Sequence, residues 1–341
     1  MKRLLTIVFS VLFGACALID DDLSVCGEQL SIEYEMQLYT ELSVQLETEL
    51  TSETDGPIRK ALEQWLEPIF TDTAKDVDLR FYAAESDEIR HQIQKVINDN
   101  RTSYVFRLYK DNYMHLAVAN IADNRQARID GGEHSRTMMF TLPNKEDVEP
   151  LNTGLFTARL PMTVTDTTQR FEVRMYMVTS AVALIVDVEP CEDLVDFDGY
   201  ILGEACGFSI RDSVFAYNRP TRMLFERIPI EEENPNPGPS RIGRREKAQS
   251  DYEYECYGTV GFPSSDEENS WKVVATTTLT NGRHTTTTLT IKDPLKAGML
   301  RIFKCALTPD GELDPDPVYD KDLGLEVELD WKGGTGFDID L

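Results

Sequence analysis

The residues best suited to covalent chemistry stand at the start of the chain, around Cys16. Lys2 and Arg3 precede an almost unbroken apolar run, Leu4–Phe13, and two small residues separate that run from the cysteine. This order is typical of a secretory signal peptide with its cleavage site, so we assign residues 1–15 to a removable leader. Cleavage there leaves the Cys16 thiol at the new amino terminus, where a lipid could be attached.

A cysteine in this position resembles the lipid-attachment cysteine of bacterial lipoproteins. Each acyl methylene buried in a bilayer contributes about 0.8 kcal/mol, and more than one chain makes the attachment stable. The alternative is an ordinary leader whose first mature residue is a structural cysteine. We interpret Cys16 as the tether and residues 16–27 as the lipidated N-terminal segment. The apolar run itself is shorter than the roughly 20 residues that a membrane-spanning helix needs.

Three consecutive aspartates, Asp20, Asp21 and Asp22, follow the cysteine. Acidic runs are usually just solvated. An acidic cluster this close to a lipidated cysteine also resembles the surface-export signal of lipoproteins in the Bacteroidia. The start of the chain therefore predicts a protein that is lipid-anchored in the outer membrane and exposed on the cell surface.

The charge of the whole chain narrows the choice of partners. The formal net charge is −26, from 34 basic and 60 acidic residues. A surface of this sign repels phosphate backbones, so nucleic-acid binding is disfavoured. The same charge suits an exposed protein that must stay soluble beside a membrane.

Motifs of the common enzyme classes are missing from the sequence. There is no glycine-rich phosphate loop, no HExxH and no GxSxG. The histidines are scattered and the later cysteines are too widely spaced for a metal knuckle; these residues are His91, His115, His134, His284, Cys26, Cys191, Cys206, Cys256 and Cys305. We expect no enzyme activity, no cofactor and no small-molecule substrate, while the disulfide pairing of the five later cysteines stays open.

One acidic stretch, 309–322, has the composition of a cation-binding loop. Its carboxylates could hold Ca²⁺, although their spacing is not that of an EF-hand; they are Asp310, Glu312, Asp314, Asp316, Asp320 and Asp322. The alternative is a solvated acidic loop. The sequence leaves the question of Ca²⁺ open and predicts no defined metal site.

The elements that carry these residues are mostly strands. Apolar and polar residues alternate with period two, most clearly at 30–38, 171–177 and 323–331. Such alternation is typical of antiparallel sheets with one face on the core. At 271–291 the sequence predicts a hairpin, with Asn281-Gly282 as the two positive-φ residues of its turn. Other strands are predicted at 76–83, 103–109, 113–119, 136–142, 181–188, 207–217, 221–229, 253–261 and 298–306.

Helices are predicted at only two places, 57–70 and 86–98. Pro57 suits the first turn of the former, and the latter carries isoleucines four residues apart, Ile89 and Ile93. Many strands and few helices predict an all-β protein built from β-sandwiches.

The domain organisation follows from breaks in composition. The segment 154–169 is linker-like, so we place an N-terminal β-sandwich domain at 28–160 and a C-terminal one at 161–341. A stretch rich in proline, asparagine and charge, 230–251, is predicted to be a long exposed loop within the second domain.

Several segments resemble the FimB-type fimbrial anchoring-subunit family of the Bacteroidia. They are CALIDDDLSVCGEQLSIEYEM from Cys16, SYVFRLYKDNYMHLAVANIAD at 103–123, and GLFTARLPMTV followed by RFEVRMYMVTSAVALIVD up to residue 187. The resemblance implies two transthyretin-like β-sandwich domains at the base of a surface filament. It also implies two attachments, one to the outer membrane through the lipid and one to a fimbrial stalk subunit.

The positions of basic residues favour an anchor over a stalk subunit. Stalk subunits of the resembled family are cut after Arg or Lys near the amino end and lose their first strand. Here no Lys or Arg occurs between Cys16 and Ile58, and the first is Arg59. The strand that carries the lipid is therefore expected to stay in place.

The C-terminal tail offers a second strand for assembly. In WKGGTGFDIDL, glycines precede an alternation in which Phe337, Ile339 and Leu341 are the apolar positions. This candidate donor strand could add to the open sheet edge of a neighbour. The alternative is that 337–341 is the last edge strand of its own domain.

Two other functions stay open. A fimbrial tip adhesin would not need to keep a lipid. A glycan-binding surface lipoprotein predicts exposed aromatic side chains, yet the only tryptophans are Trp65, Trp271 and Trp331, and the last two lie in strand patterns.

Overall fold

The structure, a computed structural model, describes residues 29–40, 56–97, 102–165, 169–230, 254–315 and 326–332. In this part of the chain there is one α-helix, α1, at Gly56–Leu66, and the rest of the regular structure is strand. The prediction of a mainly β protein is confirmed.

The strands are numbered in chain order. Those of the first half are β1 Gln29–Tyr39, β2 Asp76–Ala83, β3 Ile89–Val96, β4 Ser103–Tyr109, β5 Asn112–Ala119, β6 Arg128–Asp130, β7 Met139–Thr141, β8 Asp147–Val148, β9 Phe156–Thr163 and β10 Gln169–Met177. Those of the second half are β11 Ser180–Asp187, β12 Leu194–Leu202, β13 Gly207–Ser209, β14 Val214–Ala216, β15 Arg222–Leu224, β16 Glu226–Ile228, β17 Tyr254–Gly261, β18 Trp271–Leu279, β19 His284–Ile291, β20 Leu300–Leu307, β21 Leu313–Pro315 and β22 Glu326–Lys332.

A seven-stranded sheet with the order β3-β2-β5-β9-β10-β1-β4 forms most of the first half. β9 and β10 pair at only two positions, so the sheet can fold over between them into two layers. The strands β3, β2, β5 and β9 form one layer, and β10, β1 and β4 form the other. Their facing apolar side chains form the core of a sandwich.

The second half contains sheets that also take strands from the first. The orders are β16-β17-β11-β20-β21, β22-β19-β18-β12-β15-β8 and β14-β13-β7-β6. Helix α1 buries Ile58, Leu62 and Leu66. Its Trp65 ring lies against Gly258 of β17, where a Cβ atom would come within 2.4 Å of the ring. The two halves are therefore packed together through α1 and through shared sheets.

The predicted helix at 86–98 is wrong, because this segment is strand β3. Ile89, His91 and Ile93 are its partly buried positions, and they alternate with exposed polar residues. A spacing of four residues fits a helical turn but equally fits every second position of a strand. The helix prediction did not count His91, which lies between the two isoleucines. With His91 included, every second residue is partly buried, which is the period of a strand.

The linker-like segment around residue 160 is also a strand. Most of 154–169 is β9, which pairs along its whole length with β5. Pro161 is tolerated because pairing with β10 ends at Thr157, so its missing N–H faces no partner strand. The chain passes to the next sheet between Met177 and Ser180. The division into domains at 28–160 and 161–341 stays a prediction.

Two details of the sheets differ from the expectation. The alternating runs predicted antiparallel pairing, but β1 pairs in parallel with β10, and β11 in parallel with β20. The predicted hairpin at 271–291 is confirmed as β18 and β19. In its turn only Gly282 has positive φ, at 78°. This turn has three residues with glycine at the bulge position, rather than the two-residue turn expected.

Candidate functional site

The first strand, β1, is bound along both of its edges. Ile32–Tyr39 pair in parallel with Gln169–Tyr176 of β10, and Gln29–Glu35 pair antiparallel with Ser103–Tyr109 of β4. A strand in the interior of a sheet cannot leave without breaking hydrogen bonds on two sides. The segment that follows the proposed tether is therefore part of the sheet and not an appended edge.

The inward face of β1 lies in the core. Leu30 is 8% exposed, Met36 2%, and Ile32 and Tyr34 are fully buried. Burial of a large apolar side chain contributes about 1.5–3 kcal/mol, so these four contribute roughly 6–12 kcal/mol. Since a typical domain is stable by about 5–15 kcal/mol in total, the first half depends on β1 for folding.

Tyr34 forms a buried polar contact across the sandwich. Its hydroxyl lies 2.8 Å from Nε2 of His115 on β5, and His115 Nδ1 lies 3.0 Å from the backbone oxygen of Arg80. Because the carbonyl only accepts, Nδ1 carries the proton and Nε2 accepts from the tyrosine. The His115 ring also stacks on Phe81 at a centroid distance of 4.3 Å. All three side-chain polar atoms of this buried pair are thereby satisfied.

Burial shifts both groups of this pair toward their neutral forms. Desolvation lowers the pKa of His115 to about 4 and raises the pKa of Tyr34 above its ordinary value. At neutral pH the contact therefore joins an uncharged imidazole to an uncharged phenol. Its role is to lock β1 onto the opposite layer, and nothing in its geometry points to catalysis.

The outward face of β1 carries polar groups and one aromatic pair. Glu35 forms an ion pair with Arg170 of β10. Tyr39 lies 5.9 Å from Tyr176, centroid to centroid, and each is about half exposed. Exposed ion pairs contribute little, so the hold on β1 comes from its buried face and its backbone.

The described part of the chain resumes at α1, which contains Arg59, the first basic residue after Arg3. Arg59 is in the first turn of the helix, 2.9 Å from Glu63 Oε1. A trypsin-like protease needs an extended substrate segment, and this arginine is helical. Cleavage after Arg59 would therefore require α1 to unfold first.

The other end of the chain is arranged differently. Among the described strands, β22 pairs with β19 alone and forms an edge of the six-stranded sheet. Phe337, Ile339 and Leu341, the candidate donor strand, lie outside the described residues. So do Cys16, Cys26, the aspartates Asp20, Asp21 and Asp22, and most of the predicted loop 230–251. Their assignments stay predictions.

Four of the five later cysteines lie within the described residues, and all four are buried. Cys191, Cys206 and Cys256 are free thiols, and Cys305 is also buried. Desolvation raises the pKa of Cys256 to about 12 and also raises the pKa of Cys191. Since the thiolate is the reactive form, these two thiols are poor nucleophiles at neutral pH.

The candidate cation loop is described only as far as Pro315. Within that part, Asp310 lies 2.8 Å from Nη1 of Arg283 and so already has a cationic partner. Among the described residues no group of three or more His, Cys, Asp or Glu is placed to hold a metal ion. In the same residues, no helix has the length and apolar character needed to cross a lipid bilayer.

The side chains of Trp65 and Trp271 are described, and neither is a free sugar platform. Trp271 is fully buried. Trp65 donates its indole N–H to Glu226 at 2.9 Å and packs on β17. These two tryptophans therefore give no support to the glycan-binding alternative.

No family model matches the sequence, and no curated protein sequence matches it. Among solved structures, the chain is similar to a candidate adhesin from Bacteroides ovatus, with 12% identity, 86% of this chain and 95% of that chain covered, and a TM-score of 0.50. It is also similar to a candidate adhesin from Bacteroides thetaiotaomicron, at 11% identity, with 84% and 94% covered and a TM-score of 0.49. The fimbrial anchor protein Mfa2 from Porphyromonas gingivalis is 10% identical, with 89% and 97% covered and a TM-score of 0.45.

The chain shares the fold of the Bacteroides ovatus protein. That likeness spans most of both chains. It agrees with the mainly β fold that the resemblance to the anchoring-subunit family implied.

Sequence reasoning missed the residue on which β1 is fixed. In the sequence, His115 is one of four scattered histidines. Its position in β5 gave a usable signal, since it alternates with Tyr113 and Ala117 on the buried face. A histidine in an inward strand position needs a buried partner, and the inward tyrosine of β1 is such a group.

Proposed function

We propose that this chain is a structural surface lipoprotein, without enzyme activity, that anchors a fimbria to the outer membrane. The observation that carries the proposal is the placement of β1. This strand begins thirteen residues after Cys16, is paired on both edges and buries four large side chains. A lipid on Cys16 would thus be joined to the folded core through a strand that cannot leave it.

The absence of Lys and Arg between Cys16 and Ile58 supports the same proposal. A trypsin-like maturation protease would find no site that separates the lipid from the core. The mature protein therefore keeps its first strand and its membrane attachment, which is the difference between an anchor and a released filament subunit.

With its own first strand in place, the anchor joins the stalk subunit through the other end of the chain. β22 is an edge strand, and the glycine-rich tail continues directly from it. In this proposal Phe337, Ile339 and Leu341 enter a groove of the first stalk subunit, where main-chain hydrogen bonds supply affinity and alternate side chains supply specificity.

The test is shear fractionation of cells that carry a Cys16→Ser variant. An anchor predicts that filaments of wild-type cells leave the chain behind in the membrane, whereas filaments of the variant are shed into the medium. Cys26→Ser is the matched control, since it removes a nearby thiol and should leave attachment unchanged. Recovery of the wild-type chain at the ends of sheared filaments would instead favour the tip adhesin.

Deletion of residues 333–341 tests the tail separately. The proposal predicts that the truncated protein stays in the membrane while its filaments detach. Filaments of normal length that stay attached to cells would show that the tail is not the joint.

A further inference from the structure

The two edge strands of the seven-stranded sheet lie next to each other, one in each layer of the sandwich. The sheet ends at β3 and at β4, each with a single neighbour. Because the sheet folds over, these ends approach one another: Lys95 Nζ of β3 is 5.2 Å from the ring centroid of Tyr104 on β4. Next to this contact, the ring of Phe106 on β4 lies 6.3 Å from the ring of Phe81 on β2, centroid to centroid.

In the part of the chain that the structure describes, no strand pairs with the outer edge of β4. Met36 N–H donates to Thr102 O at 2.8 Å, which fixes the phase of the ladder between β1 and β4. In an antiparallel ladder the bonded positions alternate, so the even-numbered residues of β4 face β1 and the odd-numbered ones face outward. The outward groups are those of Ser103, Val105 and Arg107, and no described strand pairs with them.

β4 lacks most of the features by which edge strands avoid pairing. It contains no proline, and its register with β1 shows no bulge. Val105 is 69% exposed, and Phe106 on the inward side is only partly buried. The opposite edge, β3, has a bulge against β2 and two exposed cations, which makes it the protected edge.

The charge at these edges is opposite to that of the rest of the protein. Neither β3 nor β4 contains an Asp or Glu, although the chain as a whole has a net charge of −26. Arg90 and Lys95 of β3 and Arg107 of β4 are exposed, and none of the three forms an ion pair with a described residue. The outer side of β4 thus suits an incoming strand that carries carboxylates.

We infer that the outer edge of β4 is an acceptor site for a strand of another protein chain, in which apolar residues alternate with carboxylates. The apolar residues would cover Phe106 and neighbouring inward side chains of β4, and a carboxylate would lie opposite Arg107. Backbone bonds to Ser103, Val105 and Arg107 would supply the affinity. This site leaves β1 in place and does not depend on the anchoring role.

The chain's own tail provides a probe with the required pattern, since Phe337, Ile339 and Leu341 alternate with aspartates. A labelled peptide of residues 333–341 is titrated with the full mature protein, next to a peptide in which both aspartates are replaced by lysine. Binding is followed by fluorescence polarisation. We expect the acidic peptide to bind about tenfold more tightly than the lysine peptide, a difference of about 1.4 kcal/mol.

Val105→Pro tests the edge itself. Its N–H faces outward, so proline removes a group needed for strand addition without removing a bond to β1. Val96→Pro is the matched control, because Val96 is a 63% exposed valine on the other edge strand. We expect at least about a tenfold loss of peptide affinity in the first variant and no change in the second.

If the proline variant fails to fold, Arg107→Glu provides a second test. This variant should bind the lysine peptide more tightly than the acidic peptide, the reverse of wild type. Equal binding by wild type and Val105→Pro, or no binding of the acidic peptide at about 1 mM, would overturn the inference. So would binding that appears only after residues 333–341 are deleted, which would make the chain's own tail the occupant.

Discussion

The first and last described strands of this protein are held in opposite ways. β1 is an interior strand with a partner on each side, and its inward face is buried. β22 is an edge strand with one partner, and the chain continues beyond it into a glycine-rich tail. Both come from sequences that alternate with period two, so their different roles are set by position in the sheet and not by pattern.

This difference gives the two ends different physical capacities. A strand bonded on both edges transmits force from the chain before it to the folded core. A strand at an edge, followed by a glycine-rich segment, leaves the residues beyond it able to reach another molecule. An anchor needs one end of each kind, and the experiments below test whether the two ends differ as strongly as the sheet order implies.

The largest effect is expected from removing the first strand. Deletion of residues 16–40 removes four buried side chains that contribute roughly 6–12 kcal/mol, comparable to the stability of a whole domain. The truncated chain should show no cooperative thermal transition in circular dichroism. Adding a synthetic peptide of residues 28–40 should restore one. A cooperative transition without the peptide would show that the fold does not require β1, and so would contradict the proposed difference between the two ends.

The second effect is a pH dependence with opposite signs in the two halves. Burial lowers the pKa of His115, beneath β1, to about 4 and raises the pKa of Glu204, in the second half, to about 8. As the pH falls from about 6.5 to 4, the unfolded state protonates His115 before the native state does. The free energy of unfolding therefore decreases over this range. As the pH rises from about 4.5 to 8, the unfolded state releases the Glu204 proton before the native state does. The free energy of unfolding therefore decreases over this range as well.

Single substitutions separate these two contributions. Each should change the free energy of unfolding on the order of 1 kcal/mol per pH unit within its window. Glu204→Gln should abolish the decline between pH 6.5 and 8, and His115→Gln should leave that decline intact. Urea denaturation at pH 5, 6.5 and 8 measures both variants. A wild-type protein more stable at pH 8 than at pH 6.5 would contradict the assignment to Glu204, whose Oε2 has no hydrogen-bond partner among the described residues.

A smaller effect is expected from the single hydrogen bond that locks β1. Tyr34→Phe leaves Nε2 of His115 buried without a donor, which costs about 1–3 kcal/mol. Denaturant midpoints measure the loss. Tyr176→Phe is the control, because this tyrosine is half exposed and its loss should change stability by less than about 0.5 kcal/mol. Equal effects of the two substitutions would show that the contact with His115 does not fix the strand.

The smallest effect is expected at the other end. Deletion of residues 333–341 should shift the melting temperature of the isolated protein by no more than its experimental error, because a tail that serves a partner adds little to its own fold. A clear loss of stability would support the alternative that 337–341 is the domain's own edge strand.

The sequence predicted the strands well where apolar and polar residues alternate without interruption. β2 and β4 occur at the predicted boundaries, and β1, β10 and β11 lie within one or two residues of theirs. It failed at β3, where a four-residue spacing fits two periods, and at β9, where Pro161 suggested a linker. Both failures have a tertiary cause, since the pairing partners of these strands decide their structure and local pattern does not.

The candidate site was predictable only in part. The alternation of β1 and the lack of basic residues before Arg59 are visible in the sequence. The parallel partner β10 is more than 130 residues away, and no local rule pairs them. The contact between Tyr34 and His115 likewise joins two layers of the sandwich. It depends on the tertiary structure, so the sequence alone could not predict it.

The central claim is that the mature protein begins at a lipidated Cys16 and keeps β1. Mass spectrometry of the N-terminal peptide, isolated from the membrane fraction, tests it directly. The account predicts an N-terminal fragment that starts at Cys16, carries the added mass of acyl chains and is continuous through Tyr39. An unmodified Cys16, or a mature chain that starts beyond residue 39, would contradict it.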